Sequence, residues 1–155
     1  ARIAGIGSDM NLPIAIGAVE RQHAPVDKTV SADIANARIH SLAYLLCVAQ
    51  VDYWMRGYAA NEVATLFVED NTRARRLMRI AHDALSDPEM AAFLPFEINR
   101  SNAITHVVET PNFQEKSEFS LLQIADACAF SAARVLKQGS LNEVLKDAIT
   151  CLHIS

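Results

Sequence analysis

The order of apolar runs along the chain predicts an α/β domain, a mixed sheet with helices packed on it. Three stretches carry that expectation. EVATLFVED, residues 62–70, has a continuous apolar centre of strand length. Residues 31–58 place Ile34, Ala35, Ile39, Leu42, Leu45, Leu46, Ala49 and Tyr53 at spacings of three and four, the period of a long helix. SLLQIADACAFSAARVL, residues 120–136, is apolar and rich in small residues around a single carboxylate, Asp126.

In chain order, LPIAIGAVE (residues 12–20) is a short apolar run bounded by Pro13 and by QHAP, which suits a strand with a turn after it. The long helix follows, with Gly57 near its end. The EVATLFVED strand should be covered on both faces and central in its sheet, because a strand exposed on one side would alternate. Asn71 or Thr72 then caps a helix over RARRLMRIAHDAL, which stops at the SDP turn. ITHVVE (104–109) reads as a further strand stopped by Thr110 and Pro111. A helix over about residues 118–137 is closed by Gly139, and LNEVLKDAITCL forms a last short helix. No repeat, low-complexity tract or linker interrupts the chain, so residues 1–155 read as one domain.

Composition bounds the function classes. At 155 residues and 51% hydrophobic the chain can bury one core. The net charge of -4 argues against broad attraction to nucleic acid or anionic membrane, so any phosphate-binding surface must be local. Cys47, Cys128 and Cys151 are odd in number and widely spaced, which fits reduced thiols in the cytoplasm better than a disulfide framework or a zinc site. The start, ARIAGIGSDM, lacks the basic and apolar regions of a signal peptide. The most apolar stretch, residues 39–51, is shorter than a membrane span and holds His40, Ser41 and Gln50, so a soluble cytoplasmic protein is expected.

The candidate chemistry is acidic. On a helix Asp126 shares a face with Leu122, Gln123, Ala129 and Phe130, and a carboxylate buried there needs a proton, a hydrogen-bond donor, a cation or a wet cleft. Glu69 and Asp70 end the apolar strand, where clefts in open α/β sheets form. Asp70 serves equally well as a cap for the next helix. If Asp126 faces that strand end, converging carboxylates would be relieved by a hard cation such as Mg²⁺ or Mn²⁺. Lys116 is either solvated or a partner for phosphate, and Ser117 either caps a helix or joins Gln123 at a site. Arg73, Arg75, Arg76 and Arg79 are a local basic cluster, either the wet face of a helix or a phosphate-binding edge. Tyr44, Tyr53, Trp54 and Tyr58 on the long helix either stack bases or fill a core or subunit contact, which makes a homodimer an expectation. No HExxH, HxxxH, GxSxG or Gly-rich phosphate loop is present.

Two segments together resemble the bacterial DUF3800 family: ATLFVED (64–70), similar to its apolar strand with an acidic end, and EKSEFSLLQIADACAF (115–130), similar to its polar turn and Leu-Gln-Leu-Ala-Asp-like helix. PIAIGAVE and the long helix occupy matching places, so most of the chain is covered. The resemblance implies a ribonuclease H-like mixed sheet flanked by helices, with acidic residues that hold Mg²⁺ or Mn²⁺ and cleave phosphodiesters of nucleic acid. By that resemblance Asp70 and Asp126 are metal ligands, Glu69 a ligand or base, and Lys116 a catalytic residue that steadies phosphate. Arg73, Arg76, Ser117 and Gln123 fall to substrate binding. The family's first strand carries an Asp-Glu-Ser-like motif, for which Asp9 is the only early candidate, so that strand is expected upstream of Ala1 or lost. The rival is a non-catalytic interaction or defence-associated module, in which protein groups satisfy Asp126.

Overall fold

A computed structural model describes residues 13–19, 29–91 and 103–138. The fold is mixed α/β: among the described residues, four helices accompany a two-stranded parallel sheet. The chain divides into two compact units, Gly17–Gln114 and Ala1–Ile16 with Glu115–Ser155.

The first unit is built on helix α1 (Ala32–Tyr58). It starts where a cap allows it. Ser31 is extended, and its hydroxyl oxygen accepts from the Ile34 N–H at 3.4 Å, while Asp33 in the first turn complements the helix dipole. Ala37, Ser41, Leu45, Val48, Asp52 and Met55, three or four apart, form its buried stripe. By length and composition alone α1 could cross a bilayer, a test that core helices and signal sequences also pass. The apolar stretch 39–51 is thus part of a longer helix, about 40 Å at 1.5 Å per residue.

Strand β1 (Phe67–Glu69) pairs in parallel with β2 (Asn112–Gln114), matching Phe67 with Asn112, Val68 with Phe113 and Glu69 with Gln114. Parallel strands need a crossover, and helix α2 (Arg75–Ser86) lies on it, followed by the single turn α3 (Pro88–Ala91). The N-cap of α2 is Ala74, which offers no side-chain bond; the expected cap Asn71 closes the turn ahead of the helix instead, its side-chain oxygen accepting from the N–H groups of Arg73 and Ala74. Asp87 ends α2, and its carboxylate accepts from the Glu89 N–H at 2.8 Å to start α3.

Two apolar clusters join these elements. Leu45, Val48, Leu85 and Val107 form one, with Leu42, Leu66 and Ile104 packed around it. Ala37, Ala74 and Met78 form the other, where two alanines let α1 and α2 approach and Val68 and Phe113 of the sheet close the side.

Three expected elements differ. Residues 13–19 are irregular rather than a strand, and Gly17 lies directly on α1: a Cβ there would sit 1.9 Å from the Ala43 carbonyl oxygen. β1 is shorter than the apolar run and open on one face, with Phe67 and Glu69 exposed and Val68 turned inward. The strand expected at 104–109 shrinks to one parallel bridge, Ala64 with Val107, and the paired strand comes after Pro111. The cause is a side chain. Asp52 of α1 accepts from the N–H groups of both Thr105 (2.8 Å) and His106 (2.7 Å), which removes those donors from any ladder.

The second unit contains helix α4 (Ser120–Gln138), which agrees with the expected span. The expected Gly139 stop, the helix over 141–152, and Asp9 lie outside the described residues.

Candidate functional site

Asp70 follows the last residue of β1, and its N–H continues the ladder by donating to the Gln114 carbonyl at 2.9 Å. Its place is therefore fixed by the sheet. One carboxylate oxygen pairs with the Arg75 guanidinium, and the other, Oδ1, is buried without a hydrogen-bond donor among the described residues. Arg75 in turn has its Nε buried without an acceptor. Asp70 does not cap α2, whose N-cap is Ala74 with no side-chain bond.

Glu69 and Asp70 do not converge. Neighbours on a strand point to opposite faces, and here Glu69 shares the exposed face with Phe67 while Asp70 follows the inward side of Val68. The arginines separate as well: Arg73 pairs with Asp33 at 3.1 Å, Arg75 with Asp70, and Arg76 and Arg79 are exposed on α2. The guanidinium carbons of Arg75 and Arg79 lie 5.1 and 5.4 Å from the centre of the Phe113 ring.

In the second unit Asp126 corrects the expectation of a buried carboxylate: its side chain is 53% exposed and pairs with Lys116 at 2.5 Å. Lys116 stands in the turn before α4, ten residues back, and reaches over the first turns of the helix, while Leu122 and Ala132 take the buried positions. Gln123 donates to the Lys116 carbonyl at 3.2 Å and so helps hold that turn; Ser117 is exposed in it. Of the small residues Ala125, Ala129, Ala132 and Ala133, expected to let the helix lie close to a sheet, Ala132 is buried and the other three are exposed. Glu69, Asp70, Arg73 and Arg76 thus belong to one unit, and Lys116, Ser117, Gln123 and Asp126 to the other.

Two polar groups went unread in the sequence. Asp52 is buried and gives one oxygen to two backbone N–H groups and the other to Arg56 at 2.7 Å, while Arg56 also donates to the Ala103 carbonyl at 2.6 Å. Its spacing to Arg56 is that of an ordinary surface pair, so only the apolar neighbours Val48 and Met55 on the same stripe mark it as internal. Tyr44 and His82 share a 2.9 Å bond from phenolic oxygen to Nδ1. Burial lowers the His82 pKa and raises that of Tyr44. Burial also raises the Cys47 and Cys128 thiols, the reverse of what an activated cysteine nucleophile needs.

The implied Mg²⁺ or Mn²⁺ has a donor set to be tested against these residues. Among them no three His, Cys, Asp or Glu side chains cluster as an all-protein cage. Mg²⁺ is ordinarily held by one or two carboxylates, water and substrate phosphate, and Asp70 with its unpartnered Oδ1 fits that mode. Asp126 fits it as an accessible carboxylate already engaged by a cation. No family model, curated protein or solved structure matches the chain, so the resemblance to the DUF3800 family rests on the residues quoted for it.

Proposed function

We propose that this chain is a DUF3800-like, ribonuclease H-like domain that hydrolyses phosphodiesters with Mg²⁺ or Mn²⁺, Asp70 in one unit and Asp126 in the other each offering a carboxylate to an ion. One observation carries most of this: Asp70 directly follows the end of a parallel strand, where α/β sheets form clefts, and keeps a buried carboxylate oxygen with no donor among the described residues. When bound, the ion would activate water and stabilise charge on the leaving oxygen. Arg75 orients Asp70 by holding its second oxygen. Lys116 holds Asp126 in place before substrate arrives and is positioned in an exposed turn to follow a phosphate instead. Glu69, on the exposed face, takes the proton-accepting role rather than sharing a ligand position with Asp70. The odd number and wide spacing of the cysteines in the sequence support a cytoplasmic setting, and the exposed Tyr53, Trp54 and Tyr58 support a homodimer.

A different observation favours a non-catalytic interaction or defence-associated module: Arg75 and Lys116 already meet the charges of Asp70 and Asp126 without a metal. Cleavage of RNA, DNA and hybrid substrates separates the two. The hydrolase should show Mg²⁺- or Mn²⁺-dependent rates that fall roughly a hundredfold or more in Asp126→Asn. Equal rates in wild type and Asp126→Asn would leave the interaction module standing.

A further inference from the structure

The surroundings of the four arginines after β1 divide them into two kinds. Arg73 and Arg75 have carboxylate partners, Asp33 and Asp70. Among the described residues Arg76 and Arg79 have none, and Asp83, four residues past Arg79, makes no ion pair with it. Arg79 is nonetheless held in place. It lies one turn beyond Arg75, and both guanidinium groups rest on the Phe113 ring, at 5.4 and 5.1 Å from its centre. Phe113 is itself set by the ladder opposite Val68. Two like charges are thereby kept against one rigid ring, while the adjacent Asp70 offsets one of them. Arg76, three residues before Arg79, adds a second exposed cation about 4.5 Å along the helix axis. An anion at this edge would relieve the repulsion, and guanidinium is suited to phosphate oxygens.

We propose that Arg76 and Arg79 form a docking edge for the phosphate backbone of a nucleic acid, with Phe113 and Arg75 as its support. The choice of a polyphosphodiester rests on the function proposed above; the metal has no part in it. Two cations spaced along a helix suit a ligand with successive phosphates better than a single one, and on a chain of net charge -4 such attraction stays local to this edge.

The test is fluorescence anisotropy with labelled single-stranded RNA and DNA in EDTA across a series of salt concentrations. Wild type should bind with an affinity that falls with salt. Arg76→Gln and Arg79→Gln should each reduce the slope of log affinity against log salt by about 0.7. Arg79→Lys, which keeps the charge, and Arg38→Gln, at an exposed site on α1, should leave the slope as in wild type, and inorganic phosphate at matched phosphate concentration should not compete. No binding by wild type, an unchanged slope in the Arg76→Gln/Arg79→Gln double variant, or full competition by inorganic phosphate overturns the proposal. Because metal is absent, binding without cleavage counts against the hydrolase alone, and metal-dependent cleavage with unchanged slopes counts against the docking edge alone.

Discussion

Tyr44 and His82 meet in the interior, and each is harder to charge there than in water. For His82, burial lowers the pKa below 6.5, while the Asp83 charge and a hydrogen bond to the Glu109 backbone oppose it. That second bond gives the neutral ring a donor nitrogen for Glu109 and an acceptor, Nδ1, for the Tyr44 hydroxyl. For Tyr44, burial first and then the nearby Cys47 and Asp83 raise the pKa above 10.0. The signs are opposite. Below 6.5 the unfolded chain takes up a proton at His82 that the folded chain resists, so stability falls as pH falls. Above 10.0 the unfolded chain loses the Tyr44 proton first, so stability falls as pH rises. Urea unfolding against pH should therefore give a plateau between these values, and Tyr44→Phe should remove this residue's share of the alkaline fall. An alkaline limb equally steep in Tyr44→Phe would contradict the assignment. The sequence offers a core place for Tyr44 but not its partner His82, since the contact spans thirty-eight positions. Asp126 misled in the other direction: its apolar neighbours suggest burial, whereas a lysine ten residues earlier keeps it at the surface.

Among the elements, the long helix and the helix after β1 were legible from their three-and-four period, the first with Ser31 as its polar cap and the second with Asn71 in the turn ahead of it. The strands were less so. An apolar run fixes where chain is buried, but which N–H groups enter a ladder depends on what else claims them, and Asp52 claims two. The same carboxylate ties α1 to the segment that leads into β2, and with Arg56 it reaches Ala103 as well. Removing it takes the carboxylate from the half-buried Arg56 and leaves two backbone donors without their acceptor. Asp52→Ala should cost about 3–5 kcal/mol in chemical denaturation, as expected when one partner of a buried pair is lost. Hydrogen exchange at the Thr105 and His106 amides should quicken together, ahead of the β2 amides. A loss below about 1 kcal/mol, the range of an exposed pair, would show that Asp52 does not hold this junction.

For the whole molecule, alternating elements gave the α/β class, and a parallel βαβ crossover places the acidic strand end beside an arginine-bearing helix. What spacing could not convey was pairing: each expected ligand has found a cation of its own chain, Arg75 for Asp70 and Lys116 for Asp126. A divalent ion must compete with those contacts, so binding in the absence of substrate phosphate should be weak and should fall further as salt rises. The decisive measurement is a calorimetric titration of the protein with Mn²⁺, repeated on Asp70→Asn and Asp126→Asn. The proposed function predicts a saturable heat in wild type that each variant reduces while its melting temperature stays close to wild type. No heat in wild type, or the same heat in all three proteins, would contradict it.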